Sequence, residues 1–288
     1  MDNKVLIIAG MHRSGTSLIT QWLHHCGLHV GDKLLGKGIG NDDGHYEDLD
    51  FYSFHQTLLK SRNLPVSGFV ENSFVGMTEK EKLTAQKMIS EKNNRSVEWS
   101  WKDPRTCLFL PDYDEFIPQV SYLVIYRNFR SSVSSLIIRT QKVINSKADK
   151  DENRSFFSRL WHKRVARKEI DELCRQHVNS FLAVWILYNQ QILNFIKTIS
   201  DERYLVLNYE TLIANDKDAF SFLKNSWEFS LNYVSILDIY KPSLISKELN
   251  IRYYADKNIF REACRVEASL MEKFFTPRET KTPALGTL

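Results

Sequence analysis

A short turn between two glycines carries the residues of this chain that are best suited to bind an anion. Gly10 and Gly15 are five positions apart and directly follow the apolar segment at residues 5–9. This spacing is typical of a phosphate-binding loop, in which backbone N–H groups surround phosphate oxygens. The lysine that usually follows the second glycine is missing, because Thr16 stands there, and the loop's cation is Arg13. The loop therefore favours an anionic nucleotide over a complex of ATP and Mg²⁺.

A second cation follows another apolar segment, at residues 120–126. A P-loop kinase would present an acidic residue there to hold Mg²⁺, but this chain has Arg127. Arg127 and Ser135 lie eight residues apart across a predicted strand-to-helix turn, and such a pair can close on one phosphate. A surface arginine and a helical serine are the alternative. Asp103 could hold a metal, but the adjacent Lys102 argues against it, and we predict no metal site.

The elements that must position these residues follow from the pattern of apolar side chains. The predicted strands are residues 5–9, 97–101, 120–126 and 203–207. The predicted helices are residues 14–26, 48–61, 78–93, 131–139 and 169–198. Their alternation predicts a three-layer α/β/α fold around a central parallel sheet. Ligands of such sheets bind at the carboxyl ends of the strands, so the polar residues that follow the strands should meet in one crevice.

The length and composition set the domain organisation. At 288 residues and 43% hydrophobic content, the chain predicts a single domain over residues 1–288. Residues 31–50 hold five glycines and five aspartates and are expected to form a lid or acceptor loop. Residues 141–170 are polar and rich in lysine, which predicts an exposed helical insertion.

The charge and cysteine content indicate the protein's surroundings. The net charge of +4 is modest and argues for local anion sites instead of a nucleic-acid partner. Four cysteines without a Cys-x-x-Cys pair fit reduced, buried side chains. No stretch approaches the roughly twenty apolar residues of a transmembrane helix. We therefore expect a cytoplasmic protein of unknown oligomeric state.

Taken together, the motifs resemble the sulfotransferases that use 3′-phosphoadenosine 5′-phosphosulfate (PAPS), and most closely the bacterial type whose first loop reads GMHRSGTS. The resemblance spans roughly residues 4–212 and rests on the segments 10–17, 44–48, 101–106, 126–135 and 207–212. It implies a P-loop nucleotide-binding, sulfotransferase-like fold. It also implies transfer of the sulfuryl group of PAPS to a hydroxyl group, or to an amine, of an acceptor.

The resemblance further implies roles for individual residues. The first loop would hold the 5′-phosphosulfate of PAPS through His12, Arg13, Ser14, Gly15, Thr16 and Ser17. Arg127 and Ser135 match the positions that hold the 3′-phosphate, and Tyr209 matches a tyrosine near the adenine. Arg13 would act as an electrostatic clamp on the departing phosphate, and Lys102 would contact the transferring group.

The general base is predicted to be Glu47, with His45 as the alternative. Related glycan and protein sulfotransferases carry a glutamate shortly after the first helix, and a carboxylate there could take the acceptor proton. His45 has an ordinary pKa that suits the task better. A third interpretation is that Glu47, Asp48 and Asp50 only cap and charge the helix that follows.

The acceptor implied by the bacterial resemblance is a glycan or glycoconjugate. The region after residue 213 lacks the Arg-Lys-Gly element with which many eukaryotic members complete the nucleotide site, so Lys241 or Lys247 could substitute there. Two other functions stay open: a P-loop kinase that uses ATP and Mg²⁺, and a non-catalytic relative that binds a nucleotide or glycan.

Overall fold

The sheet of the computed structural model, which describes residues 3–38, 44–72, 76–117, 119–148 and 156–274, contains four parallel strands. They are β1 (Lys4–Ala9), β2 (Glu98–Lys102), β3 (Ser121–Tyr126) and β4 (Tyr204–Asn208). The spatial order is β2-β1-β3-β4, so β1 and β3 are the central strands. The predicted parallel sheet is confirmed, and each strand begins or ends within one residue of its predicted position.

Eight α-helices lie in the described residues. They are α1 (Thr16–His25), α2 (Leu49–Ser61), α3 (Glu79–Asn93), α4 (Leu110–Phe116), α5 (Phe129–Ala148), α6 (Phe156–Ile196), α7 (Asp216–Asn225) and α8 (Lys257–Glu272). A 3₁₀ turn at Pro104–Leu108 links β2 to α4. None of the described helices is long and apolar enough to cross a membrane.

Successive side chains along each strand point to opposite faces of the sheet, and they form the two layers of the core. On β1, Val5, Ile7 and Ala9 face a cluster that includes side chains of α2, α5, α6 and α8. Leu6 and Ile8 point the other way and pack with α1 and α7. Helices therefore cover both faces of the sheet, and the predicted three-layer α/β/α architecture is confirmed.

Two helices extend beyond their predicted limits. We predicted α5 to end near residue 139 and α6 to begin near residue 169, because the intervening residues are polar. In the structure both helices continue into this region and pack against each other, with Gln141 Nε2 donating to Glu169 Oε2 at 3.2 Å. α5 and α6 contact each other, and tertiary contact of this kind stabilises helices whose sequence has no strong apolar face of its own. Residues 149–155 of the predicted insertion lie outside the described residues.

The predicted lid region begins and ends as an ordered strand-like pair. Leu35 N–H donates to the Glu47 carbonyl at 2.7 Å, and Leu34 forms an isolated antiparallel bridge with Asp48. Asp48 then caps α2 by accepting from Asp50 N–H at 2.9 Å. Residues 39–43 of this region lie outside the described residues. The pairing fixes the backbone around Glu47, while the lid function stays a prediction.

Candidate active site

The turn after β1 is shaped by two close backbone approaches. Gly10 N–H donates to Cys107 Sγ at 3.1 Å, and a Cβ on Gly10 would lie 2.4 Å from the Ile125 carbonyl oxygen of β3. Arg13 and Gly15 both have left-handed backbones, with φ of 70° and 93°, and this conformation is uncommon for a side chain such as arginine. The turn delivers the chain into α1, whose first N–H groups have no side-chain cap. Such a helix N-terminus suits phosphate oxygens.

A first cleft, the loop cleft, opens beside this turn. Its lining combines residues of the loop, of the ends of β3 and β4, and of a segment after α7: Arg13, Gly15, Thr16, Ser17, Leu18, Gln21, Gly44, Arg127, Tyr209, Ile239, Tyr240, Lys241 and Ile245. Six of the predicted nucleotide-binding residues therefore share one cleft. Of the two lysines considered for its far side, Lys241 lines it. Gln21, Ile239, Tyr240 and Ile245 were missed, since no spacing in the sequence links them to the loop.

Arg127 is held in the loop cleft by an aromatic ring. Its guanidinium carbon lies 4.7 Å from the centroid of the Tyr209 ring, and its Nε lies 3.7 Å from Glu210 Oε1. Arg127 is only 8% exposed, yet its Nε makes no hydrogen bond within the described part of the chain. A buried, unsatisfied N–H is costly unless a ligand accepts from it. This donor is therefore available to an anion.

Ser135 lies next to Arg13. Its Oγ accepts from Arg13 Nε at 2.9 Å, so the serine of α5 fixes the side chain of the loop cation. Ser14 is buried, and its hydroxyl donates to the Met11 carbonyl inside the turn. Both hydroxyls thus have protein partners in the structure, and their predicted contacts with phosphate stay predictions.

A second cleft, the Glu47 cleft, lies on the other side of the loop and has a volume of about 500 Å³. It is lined by His12, Leu35, His45, Glu47, Tyr52, Gln56, Val66, Ser67, Phe69, Arg105, Leu136, Arg139, Thr140, Val143 and Ile144. A volume of this size is typical of a site for a small molecule. Two of the predicted catalytic residues, His45 and Glu47, share this cleft with His12.

Glu47 is paired with Lys102 at the end of β2. Lys102 Nζ donates to Glu47 Oε1 at 2.9 Å and to the His45 carbonyl at 2.5 Å. Lys102 is 1% exposed and Glu47 is 5% exposed. Removing either partner of such a buried ion pair leaves an uncompensated charge. Lys102 therefore lies beneath the cleft surface and holds the carboxylate in place.

The environment of the Glu47 cleft disfavours the protonated form of both of its histidines. Burial, followed by the charges of Lys102, Arg139 and Arg13, lowers the pKa of His45 to about 4. Burial and the charge of Arg105 lower the pKa of His12 to about 3. Both rings are therefore neutral at neutral pH, and His45 would be a weak base for the acceptor proton.

Asp103 is fully occupied by protein partners. Its Oδ2 accepts from His55 Nδ1 at 3.2 Å, and its Oδ1 accepts from the backbone N–H and the guanidinium of Arg105, each at 2.9 Å. Burial alone would raise the pKa of Asp103, but these donors hold it below its ordinary value. Arg105 in turn lies over the Tyr52 ring at 4.8 Å. Asp103 thus positions Arg105 in the cleft wall, a role that was not predicted for Arg105 from the sequence.

A group of three carboxylates could in principle hold a metal. Among the residues that the structure describes, Asp32, Asp48 and Asp50 each have a carboxylate oxygen within 4.8 Å of those of the other two. Lys92 Nζ lies 2.9, 2.7 and 2.7 Å from their oxygens, respectively. The cluster therefore neutralises a buried lysine and ties α3 to the start of α2.

The fold matches solved sulfotransferase structures at low sequence identity. A sulfotransferase from Alicyclobacillus acidocaldarius has a TM-score of 0.51 and 14% identity, covering 94% of this chain and 96% of its own. The sulfotransferase domain of the Synechococcus PCC 7002 olefin synthase has a TM-score of 0.48 and 14% identity, with coverages of 96% and 98%. No protein-family model and no curated protein matches the chain. The likeness identifies the fold.

Proposed function

We propose that this protein is a sulfotransferase that moves the sulfuryl group of PAPS to a hydroxyl group of an acceptor. The observation that carries the proposal is the arrangement of two clefts around one shared wall. His12 and Arg13 are adjacent in sequence but line opposite clefts, and so do Gly44 and His45. A donor in the loop cleft and an acceptor in the Glu47 cleft would meet at this wall. The fold of the sulfotransferase structures agrees with this assignment.

The loop cleft fits the anionic groups of PAPS. Arg127 offers a buried Nε without a hydrogen bond among the described residues, and Tyr209 stacks on its guanidinium. Gly15 presents bare backbone, because a Cβ there would lie 2.2 Å from the Tyr209 ring. We assign the phosphosulfate to the loop at residues 12–17, the 3′-phosphate to Arg127 and Ser135, and the adenine to the vicinity of Tyr209.

PAPS supplies the sulfuryl group, whose bond to the phosphate oxygen breaks as the acceptor oxygen forms its new bond to sulfur. Arg13 stabilises the negative charge that develops on the phosphate. Glu47 takes the acceptor proton, since Glu47 lines this cleft and Lys102 holds one of its carboxylate oxygens. His45 is the weaker candidate because its imidazolium is disfavoured by burial and by nearby cations.

A kinase would need an acidic residue that is free to hold Mg²⁺. Asp103 stands nearest to that position in the sequence, but both of its oxygens accept from His55 or Arg105. This observation supports the sulfotransferase over the kinase.

Nucleotide binding is tested by thermal shift in EDTA with adenosine 3′,5′-bisphosphate (PAP), the product of the reaction. A ligand at one hundred times its dissociation constant stabilises the folded state by about 2.7 kcal/mol. We expect PAP to raise the melting temperature of the wild type, and Arg127→Gln to lose most of that shift. Arg175→Gln is the matched control, since Arg175 lies exposed on α6. In a parallel titration with Mg²⁺ and without EDTA, stabilisation by Mg·ATP but not by PAP would indicate a kinase.

Transfer itself is tested by incubating the protein with PAPS and candidate acceptors and weighing the products by mass spectrometry. Normal PAP binding without any sulfated product across a broad panel would favour the non-catalytic alternative. The glycan or glycoconjugate acceptor implied by the sequence resemblance stays a prediction that this panel includes.

A further inference from the structure

One face of α5 forms a wall of the Glu47 cleft. The residues that line it are Leu136, Arg139, Thr140, Val143 and Ile144. Their spacing of three and four residues places them on one side of the helix. Val143 and Ile144 add an aliphatic stripe to this wall, and Ile144 is 50% exposed. The wall is thus largely apolar and carries a single cation, Arg139.

The other cations near this cleft already have anionic partners. The Arg105 guanidinium donates to Asp103 at 2.9 Å, and Lys102 donates to Glu47 at 2.9 Å. No carboxylate of the described residues forms an ion pair with Arg139, which lines the cleft. Within the part of the chain that the structure describes, Arg139 therefore adds an uncompensated positive charge to a site that is otherwise balanced. A guanidinium in this position is well suited to a carboxylate or phosphate.

The aliphatic part of the lining does not suit a sugar. Leu35, Val66, Val143 and Ile144 offer no side-chain hydrogen bonds, and Val66 is 43% exposed. Each hydroxyl of a sugar that leaves water needs a new hydrogen-bond partner, whereas an aliphatic chain gains free energy when such side chains cover it. The lining also includes the polar side chains of Tyr52, Gln56, Ser67 and Thr140. Its aliphatic part favours an apolar body over a polyhydroxylated one.

We propose that the acceptor is an amphiphilic hydroxy compound with an anionic group. Its hydroxyl lies at Glu47, its apolar body lies along α5, and its anionic group pairs with Arg139. This assignment rests on the proposed sulfuryl transfer and defines the substrate class of that same site. It replaces the glycan with a smaller and more apolar acceptor.

The test measures binding by isothermal titration calorimetry in the presence of saturating PAP. The probes are ω-hydroxyoctanoate, ω-hydroxyoctyl phosphate, the neutral octanediol and the disaccharide N-acetyllactosamine. We expect an anionic probe to bind at least about 10-fold more tightly than the diol, as is typical when a charged hydrogen bond is gained. Comparing the carboxylate with the phosphate identifies which anion Arg139 accepts.

Two variants assign the effect to Arg139. Arg139→Gln should weaken binding of the preferred anion by about 10- to 100-fold and leave the affinity for the diol unchanged. Lys142→Gln is the matched control, because it removes a cation from the exposed side of α5. PAP affinity and melting temperature, measured on both variants, show that the fold is intact.

Three outcomes would overturn the inference: equal affinities for the diol and the anions, unchanged anion binding in Arg139→Gln, or tighter binding of the disaccharide. The PAP measurement separates this inference from the proposed function. A protein that binds PAP but no anionic amphiphile refutes the acceptor class alone, while a protein that does not bind PAP refutes the sulfotransferase assignment.

Discussion

Replacing Gly15 with alanine tests how the loop and the end of β4 fit together. The new Cβ would lie 2.2, 2.7 and 3.2 Å from three atoms of the Tyr209 ring. The residue would also have to keep a φ of 93°. The first effect is steric and the second is conformational, and a matched glycine separates them. Gly27 has a φ of 102°, but a Cβ there would meet nothing within 4 Å.

The two costs can be estimated from these contacts. The left-handed backbone costs a non-glycine residue about 1–2 kcal/mol, and both variants bear this cost. Gly15→Ala must in addition displace the Tyr209 ring, and overpacking of this kind costs about 1–3 kcal/mol. A chain of this size loses about 2 °C of melting temperature per kcal/mol. Gly15→Ala should therefore melt about 2–6 °C below Gly27→Ala.

The assay combines thermal melts with PAP titration on Gly15→Ala, Gly27→Ala and the double variant Gly15→Ala/Tyr209→Ala. Compared with Tyr209→Ala measured alone, the double variant should lose less stability than the sum of the two single losses, since removing the ring removes the clash. Gly15→Ala should bind PAP at least about 10-fold more weakly, because the ring that backs Arg127 has moved. Equal melting of Gly15→Ala and Gly27→Ala, or additive losses in the double variant, would refute the proposed contact.

Three further predictions concern the Glu47 cleft. Glu47→Gln should keep PAP affinity within about 2-fold but lower turnover by about 10²-fold or more. Turnover is measured by mass spectrometry of the sulfated product. Unchanged turnover would assign the role of general base to His45. Lys102→Met should lower the free energy of unfolding, measured by urea denaturation, by about 3–5 kcal/mol, because Glu47 loses its buried partner. The double variant Lys102→Met/Glu47→Gln should recover part of that lost stability. Between pH 6.5 and pH 5, His12 alone should lower the stability of the wild type by about 2 kcal/mol, because unfolded His12 binds a proton there that the buried ring, with a pKa of about 3, does not. His45, whose pKa is also lowered, adds to this loss. In urea melts at the two pH values, His12→Gln should lose about 2 kcal/mol less than the wild type.

The fold was largely predictable because its strands are short, continuous apolar runs. Such runs are typical of strands buried on both faces, and polar residues mark where they end. The limits of α5 and α6 were not predictable in the same way. Their outer turns are polar, and α5 and α6 make contacts with each other, such as that of Gln141 with Glu169. Periodicity within one segment carries no information about a partner segment.

The site was predictable in its residue types but only partly in its pairings. Arg13, Arg127 and Tyr209 all line one cleft, as expected when the carboxyl ends of parallel strands converge. The structure adds that Ser135 accepts from Arg13 and that Lys102 donates to Glu47. These partners are 122 and 55 residues apart in the chain. Arg139, four residues after Ser135 on α5, could have been suspected from helical spacing.

The sequence by itself determined which residues could bind anions and where the backbone must turn, because these properties depend on side-chain chemistry and on local conformation. The tertiary structure decided which charges neutralise one another. Lys102 and Arg105 have carboxylate partners, whereas Arg139 has none among the described residues. The energy of a charge depends on its distance to other charges and on its exposure to water. Those distances are set by the packing of segments that are far apart in the chain.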